Sequence, residues 1–407
     1  MYLLANTIQP YAWGSTDAIP KLLGGEITGK PQAELWLGAH PLAPSQLVSL
    51  GIGLDEFEKA HPEAMGPSGK LPFLMKVLAA AEPLSLQVHP NLEQAKAGFA
   101  EEDARGVAKD DPARNYKDAN HKPEMLVALT DFSALSGLRD PQAAIADIEM
   151  LLGAAAGGGE EGRKLLKRLR AGELEDAFLG LLRGGEGVRE LVRALIEGAG
   201  AKPQTQAAQT VTFISEFHGD DPGVAAALLL NRVDLKPRQA VFLGAGNIHA
   251  YLHGLGIELM ANSDNVLRAG LTPKHIDIDE LAKIASFEPV PPPVLPHDDM
   301  DYFTEGLVEY AYRPATVEFQ LWDSRLSDSR TRIPPGPAIL LVLKGEVRLS
   351  TTRARFALPE SATELTLTRG QSVFIAAEEY VEAAGADCRI AVSSVDPRPR
   401  AFAGRVS

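Results

Sequence analysis

The apolar residues of this chain change their spacing twice, and this change constrains the fold more than any other feature of the sequence. Up to about residue 138, and again from residue 240, apolar and polar residues alternate in short runs, as in half-buried β-strands. Between residues 140 and 230, leucine and alanine recur every third or fourth residue, as on one face of an amphipathic helix. The pattern predicts an all-helical insertion, with the β segments on either side of it folding together as one barrel.

The helical block divides into several predicted helices, and its charges are interpreted as solvated faces without chemistry. A last helix is predicted at 221–230, because Asp221 suits a helix N-cap and Pro222 the first turn. The other clear helical stretches are 164–169, 174–182 and 188–196, and a short helix is predicted after this block, at 274–283.

A proline-rich connector at 289–296 is a predicted domain boundary. Regularly spaced short strands follow it, which favours a β-sandwich or jelly roll. No histidine occurs after His297, so a scaffold role is predicted for this last segment. The predicted strands are 339–343, 346–350, 365–367, 372–376 and 389–393.

Composition narrows the class of protein. A chain of 407 residues is too long for one simple core. Hydrophobic and charged contents of 45% and 23% are ordinary for a globular protein, and no apolar run approaches the ~20 residues of a membrane span. The first ten residues lack a basic segment and a long apolar core, so we expect no secretion signal.

Net charge and cysteine content argue against several kinds of binding partner and site. The net charge of −14 argues against nucleic acid or an anionic membrane surface as a partner, and an anionic substrate would need a local basic pocket. The single cysteine, Cys388, excludes an intrachain disulfide and a cysteine-based metal site. A reducing, cytoplasmic location is predicted.

The stretch 84–91 is the first candidate functional segment. Its alternation predicts a strand on which Ser85, Gln87 and His89 share one polar face. Burying three polar groups without partners is costly, so a metal ion or a polar ligand is expected beside them.

Two later stretches are candidates to complete such a site. Residues 120–124 place His121, Lys122 and Glu124 close together before an apolar run, and residues 244–251 place His249 in a glycine-rich loop. Together with Gln87 and His89, Glu124 and His249 would form an oxygen and nitrogen site without sulfur, which suits zinc or another divalent ion. Spacing alone leaves open that these are structural or solvated groups.

The motifs together resemble the type I mannose-6-phosphate isomerase (phosphomannose isomerase) family of the cupin superfamily. The resemblance covers the first two thirds of the chain, and the last third is similar only in general character. The residues that carry it are 11–15, 33–41, 87–90, 120–124 and 249–274.

The resemblance implies one Zn²⁺ per chain, with other divalent ions possible, on Gln87, His89, Glu124 and His249. It implies interconversion of mannose 6-phosphate and fructose 6-phosphate by proton transfer through an enediolate. The implied fold is mainly β, with cupin jelly-roll barrels and an all-α insertion domain. The implied domains are a catalytic cupin (1–139 plus 232–288), the helical insertion (140–231) and a metal-free cupin-like jelly roll (289–407).

The resemblance also implies roles for residues around the substrate. Arg268 matches the family's active-site arginine and is predicted to stabilise developing charge or hold the phosphate. For the proton shuttle the sequence itself offers Glu258, His121, Lys122 and Asp264, and Glu258 ranks first because a carboxylate beside a metal can exchange a carbon-bound proton. Lys76, Ser85 and Lys122 match positions around the substrate in the family, and Tyr251 is separately predicted to line the pocket.

Alternatives remain open for several of these residues and for the function. Arg268 could form a structural ion pair with Asp264, Lys122 could be an exposed turn residue, and Lys76 could extend to the surface. The chain could instead be a catalytically silent cupin that senses a sugar phosphate, or another metal-dependent cupin enzyme, such as an iron oxygenase. The expected partner is a small sugar phosphate, without nucleic acid or membrane, and the expected state is a monomer.

Overall fold

The protein forms two compact units, each assembled from segments that are distant in sequence. The structure, a computed structural model, describes residues 1–154, 158–295, 306–334 and 336–395. The first unit comprises Met1–Leu78, Ile257–Asn262 and Leu295–Ser407, and the second comprises Ala79–Gly256 and Ser263–Val294. The predicted division into three domains stays a prediction.

Strands are more abundant than helices. They account for 32% of the structure and helices for 28%, which confirms the prediction of a mainly β protein. The strands are β1 (Tyr2–Ala5), β2 (Thr7–Gln9), β3 (Glu34–Leu37), β4 (Gln46–Leu47), β5 (Ile52–Gly53), β6 (Phe73–Ala80), β7 (Gln87–Val88), β8 (Glu124–Ala128), β9 (Phe132–Leu138), β10 (Leu230–Leu235), β11 (Ala240–Leu243), β12 (His249–Ala261), β13 (Leu267–Arg268), β14 (Val294–Leu295), β15 (Leu307–Tyr312), β16 (Gln320–Leu326), β17 (Ser329–Arg332), β18 (Ala338–Lys344), β19 (Glu346–Ala354), β20 (Glu364–Thr368), β21 (Ser372–Ile375), β22 (Glu379–Gly385) and β23 (Cys388–Ser394).

Most of the longer helices lie in the block with helical spacing. Their apolar residues, among them Leu165, Phe178 and Leu191, are buried in one cluster of the second unit. The helices are α1 (Ala18–Leu23), α2 (Leu54–Ala60), α3 (Leu92–Ala104), α4 (Pro141–Ala154), α5 (Gly159–Ala171), α6 (Leu174–Leu182), α7 (Glu186–Ala201), α8 (Gln206–His218), α9 (Pro222–Ala227) and α10 (Ile278–Ile284), with a 3₁₀ turn at Pro62–Met65.

The predicted helices are confirmed, with two corrections at their ends. The Asp221 carboxylate accepts the Gly223 N–H at 2.7 Å, so α9 begins as predicted. It does not continue to residue 230, because the chain enters β10 there and pairs with β9. The helix predicted at 274–283 begins only at Ile278, where the Asp277 side chain caps it.

Two antiparallel sheets lie in the first unit. One has the order β15-β16-β23-β18-β21-β1-β4-β5, and the other β17-β22-β19-β20. Leu340 and Val373 from the first sheet share an apolar cluster with Val347 and Val381 from the second. The sheets are therefore held by burial of their facing apolar sides. All five strands predicted after the connector are confirmed.

The strand pairings of the second unit position the candidate site. Gln87 on β7 lies opposite His249 on β12 and opposite Arg268 on β13. Glu124, the first residue of β8, lies opposite Leu243 at the end of β11. These non-local pairings bring three remote sequence motifs together.

Two local predictions for these motifs are corrected. His249 does not lie in a glycine-rich loop; it is the first residue of β12, because it pairs with both Gln87 and Ser136. The strand predicted over 84–91 is reduced to β7, although Leu86 still bonds through its backbone to residues 269 and 270.

The described part of the proline-rich connector is extended and hydrogen-bonded. Val290 donates its N–H to Leu138, and Pro293 accepts one from Phe242. Pro296, the last residue of the predicted connector, lies outside the described residues, as does His297. Among the helices of the described chain, none is long and apolar enough to cross a membrane.

Candidate metal centre

Glu124 is the carboxylate of the candidate centre and is only 2% exposed. Pro123 disfavours a helical conformation at Lys122 and so keeps the chain extended into β8. Residues two apart on an extended chain point to the same side, so Lys122 and Glu124 face the same way. The Lys122 Nζ lies 3.0 Å from the Glu124 Oε1.

Two histidines lie against this carboxylate. His89 and His249 are both fully buried. The Nε2 of His89 lies 3.4 Å from the Glu124 Oε1, and the Nε2 of His249 lies 3.4 Å from the Glu124 Oε2. The potential ligand atoms of the three residues all lie within 4.8 Å of one another.

The other nitrogen of each imidazole is held by a backbone carbonyl. The Nδ1 of His89 lies 2.7 Å from the carbonyl oxygen of Asn265, and the Nδ1 of His249 lies 2.9 Å from that of Asn247. A carbonyl oxygen only accepts hydrogen bonds, so both Nδ1 atoms are donors. In the neutral tautomers, the Nε2 lone pairs therefore point toward Glu124.

The charge states of His89 and Glu124 follow from their surroundings. Burial lowers the pKa of His89 to about 4 against the weaker opposing effect of Glu124, so the imidazole is neutral at pH 7. Burial alone would raise the pKa of Glu124, but the Lys122 ammonium beside it outweighs burial and holds this pKa well below its usual value. A neutral imidazole thus presents its lone pair to an ionised carboxylate.

This arrangement leaves buried polar atoms without hydrogen bonds. Among the described residues, the Nε2 of His89, the Nε2 of His249 and the Oε2 of Glu124 have no hydrogen-bond partner. Such buried atoms are costly unless a cation binds them. Zinc bonds of about 2.0–2.1 Å at tetrahedral angles place neighbouring donors about 3.3–3.4 Å apart. Each histidine Nε2 lies 3.4 Å from one Glu124 oxygen, close to that spacing, and with all three ligand atoms within 4.8 Å of one another the donor set fits a zinc ion.

Comparisons with known proteins support this geometry. The family model described as "Phosphomannose isomerase type I, catalytic domain" matches residues 1–141. The mannose-6-phosphate isomerase of Shigella flexneri is 40% identical over 392 residues, covering 93% of this chain and 95% of its own. The chain belongs to the type I phosphomannose isomerase family. The human mannose-6-phosphate isomerase is 30% identical, with 94% of each chain covered.

A solved structure resembles this phosphomannose isomerase family member over almost its whole length. It is a zinc-bound holo form of mannose 6-phosphate isomerase, with a TM-score of 0.85 and 38% identity. The likeness covers 97% of this chain and 99% of that one. The match therefore includes the last third, where the sequence motifs were weakest.

The fourth predicted metal ligand of this family member, Gln87, is near the cluster through its backbone. It is directly opposite His249 across the β7–β12 pair, and its side chain is partly exposed. Its role as a ligand stays a prediction.

Arg268, the predicted active-site arginine, is half-buried on β13. Burial lowers the pKa of its guanidinium and is the only cause of that shift. Within the described residues, no carboxylate forms an ion pair with Arg268, so the alternative of a structural pair with Asp264 is wrong. The guanidinium is available to an anionic ligand.

The remaining predicted residues of the second unit are in different settings. Tyr251 is buried, with its ring edge-on to Phe132 at 5.4 Å between centroids. Ser85 is partly exposed, as are His121 and Asp264. Lys122 is only 8% exposed, so the alternative of an exposed turn lysine is wrong.

Lys76 and Glu258 lie together in the first unit. The Lys76 Nζ is 3.0 Å from the Glu258 Oε2 and 3.6 Å from the Glu34 Oε2. Lys76 is 6% exposed and lies over the Trp36 ring, so it does not extend to the surface. The Trp36 indole N–H donates to Glu34 at 2.6 Å. The substrate role of Lys76 and the shuttle role of Glu258 stay predictions.

Sequence reasoning missed several residues that support these groups. Glu34 and Trp36 alternate with apolar residues within the motif 33–41, and this spacing could have indicated a shared face. Asn247 and Asn265 orient the histidines through backbone carbonyls. Every residue carries such a carbonyl, so no side-chain pattern could have identified them.

Proposed function

We propose that this chain is a zinc-dependent aldose–ketose isomerase that interconverts mannose 6-phosphate and fructose 6-phosphate. The observation that carries the proposal is the buried cluster of His89, Glu124 and His249, whose inward-facing atoms lack hydrogen-bond partners among the described residues. The bacterial and human relatives are both named mannose-6-phosphate isomerase, which supports the choice of substrate. The zinc-bound solved structure supports the choice of metal.

We assign the metal to Gln87, His89, Glu124 and His249. One carboxylate and three neutral groups leave a Zn²⁺ site with a formal charge of +1, so a bound zinc remains electrophilic and supplies Lewis-acid polarisation of a sugar carbonyl or hydroxyl. The backbone carbonyls of Asn265 and Asn247 hold the two imidazoles in the tautomer that this binding needs.

The chemistry that the chain itself must perform is proton transfer. The isomerisation moves one proton between C2 and C1 through an enediolate and one between the two oxygens, so no external oxidant or reductant is required. Glu258 is proposed as the group that carries the carbon-bound proton, with His121, Lys122 and Asp264 as the other candidates. Arg268 is proposed to stabilise the developing negative charge or hold the phosphate.

The buried cations are the groups suited to an anionic substrate in a protein with a net charge of −14. Arg268 has no carboxylate partner among the described residues, whereas Lys122 and Lys76 are each beside a carboxylate. We therefore propose Arg268 as the principal anion-binding group, with Lys76, Ser85 and Tyr251 as further substrate contacts.

The finer description of the fold and setting also belongs to this proposal. We propose cupin jelly-roll barrels formed by 1–139 plus 232–288 and by 289–407, with 140–231 as an all-helical insertion. The paired antiparallel sheets of the first unit support the jelly roll, and the α4–α9 block supports the insertion. A monomeric, cytoplasmic protein without nucleic-acid or membrane partners remains the expectation.

The test is elemental analysis of the purified protein coupled to a mannose 6-phosphate isomerisation assay. We expect about one zinc per chain, loss of activity on chelation, and recovery when zinc is added back. Full activity in the metal-free protein would refute the mechanism. Substrate binding without turnover would indicate a sugar-phosphate sensor, and iron with oxygenase activity would indicate another cupin enzyme.

A further inference from the structure

Asn265 is a fully buried side chain that connects two parts of the candidate metal centre. Its backbone carbonyl accepts the Nδ1–H of His89 at 2.7 Å. Its side-chain Oδ1 accepts the backbone N–H groups of Lys117 and Asp118, at 2.7 and 3.2 Å. Its Nδ2 donates to the backbone carbonyls of Asp118 and Asn120, both at 2.8 Å.

These contacts use the full hydrogen-bonding capacity of one amide. An asparagine side chain offers two N–H donors and one oxygen with two lone pairs, and Asn265 engages all of them with the turn 117–120. This turn leads directly to Lys122 and Glu124. One residue thus anchors both the ring of His89 and the segment that presents the carboxylate.

A second set of hydrogen bonds fixes the backbone at Asn265 itself. The Ser263 hydroxyl donates to the Asp118 carboxylate at 3.0 Å, and the Asp264 N–H donates to the same carboxylate at 2.7 Å. The Asn265 N–H in turn donates to the Ser263 Oγ at 3.2 Å. The carbonyl that orients His89 is therefore placed by contacts with the turn 117–120.

We infer that Asn265 is a positioning residue of the metal centre. It holds His89 in its ligating tautomer and keeps the His89 ring facing Glu124. The inference rests on the proposed zinc site. Groups that orient metal ligands typically change metal affinity by about 10- to 100-fold when they are removed. Asn265 acts through the ligands and does not touch the metal or the substrate.

The test is the zinc dissociation constant of Asn265→Ala, measured by competition with a chromophoric chelator. We expect zinc to bind about 10- to 100-fold more weakly than in the parent protein, with activity recovering at saturating zinc. A downfield His89 Nδ1–H signal in the NMR spectrum should be lost or broadened. A merely structural role would change neither the zinc requirement nor this signal.

Asn6→Ala is the matched control. Asn6 also makes side-chain hydrogen bonds in both directions, to Ser372 and from Ser45, but it lies in the first unit and contacts no proposed ligand. We expect this variant to lose stability and to keep parental zinc affinity. Equal zinc affinity in Asn265→Ala, Asn6→Ala and the parent would overturn the inference.

Two further measurements keep the result decisive. If Asn265→Ala does not fold, the zinc affinity of Asn265→Ser is measured instead, because its single neutral hydroxyl cannot replace the hydrogen bonds of both Oδ1 and Nδ2. In the parent protein, zinc should increase the hydrogen-exchange protection of the Lys117 and Asp118 amides, and unchanged protection contradicts the inference. A parent that binds no zinc refutes the proposed function, whereas a zinc-binding parent with unaffected variants refutes only the role of Asn265.

Discussion

Two buried carboxylates in this protein have the same exposure but different partners. Asp323, in the first unit, accepts two hydrogen bonds from the guanidinium of Arg389, at 2.8 and 2.6 Å. Burial would lower the pKa of Arg389, but Asp323 outweighs it and raises this pKa. Glu124, in the second unit, faces Lys122 and the lone pairs of two histidines. Both carboxylates are 2% exposed.

The difference separates an ion pair that is complete within the chain from a cluster that could hold a metal ion. A bidentate Arg–carboxylate pair satisfies both partners, so it needs nothing from outside the chain. The Oε2 of Glu124 and the Nε2 atoms of His89 and His249 have no hydrogen-bond donor among the described residues, and a divalent cation would satisfy them. The arginines show the same contrast, since Arg389 has a carboxylate partner and Arg268 has none among the described residues.

The largest expected effect comes from Glu124→Gln, which keeps the shape of the side chain and removes its charge. The proposed centre loses its one anionic ligand, so we expect zinc content to fall. Isomerase activity should fall on the order of a thousandfold, which corresponds to the loss of several kcal/mol of transition-state stabilisation. Zinc analysis and the mannose 6-phosphate assay check this. Parental values of both would remove Glu124 from the metal site.

Arg268→Ala is expected to reduce turnover by about 10²- to 10³-fold, as for the loss of one group that stabilises developing charge. The free energy of unfolding should change by less than about 1 kcal/mol, because no described carboxylate is left unpaired. Steady-state kinetics and urea unfolding measure the two effects.

The control is Arg389→Ala, which should show the reverse pattern. It leaves Asp323 buried without its partner and should lower stability while the remaining folded protein keeps its turnover number. Normal turnover in Arg268→Ala would show that Arg268, like Arg389, is not needed for catalysis, and would contradict the proposed difference between the two arginines.

Asp323→Asn is the matched counterpart of Glu124→Gln. Removing one partner of a buried ion pair costs about 3 kcal/mol, so the free energy of unfolding should fall by about that amount. Zinc content and turnover per folded molecule should stay at parental values. Urea unfolding and zinc analysis check this, and a loss of zinc in this variant would contradict the separation of roles.

The smallest expected effect is the response of the metal-free protein to acid. The pKa of His89 is lowered by burial from 6.5 to about 4, so between these pH values the unfolded chain binds a proton that the folded chain does not. Stability should therefore fall as the pH drops below about 6.5, by about 2 kcal/mol at pH 5. The contribution of Glu124 is present above its unfolded pKa of about 4.3 and is lost only below that pH.

Urea unfolding of the metal-free protein at pH 7 and pH 5 measures this response. His89→Asn is the control, because it removes the titrating group. A difference between the two pH values that is the same in His89→Asn and the parent would assign the acid response to other residues.

The predictions of helices and strands are confirmed where the spacing of apolar residues along the local sequence decides the structure. The helices α5 to α7, the strands β18 to β21 and the strand β23 follow from apolar residues that recur along a few neighbouring residues. The start of β12 was missed for the opposite reason. His249 follows Gly244 and Gly246, which favour a loop, but backbone pairing with Gln87 and Ser136 makes it part of a strand.

By itself, the sequence determined the residue types of the centre and the family to which the chain belongs, since motif spacing is a property of the linear chain. Tertiary structure alone decided how those residues act. It turned the Nε2 atoms of His89 and His249 toward Glu124 and left Arg268 without a carboxylate partner among the described residues. The reason is that tautomer, charge state and ligand spacing depend on carbonyls and cations supplied by distant segments, which the order of residues does not reveal.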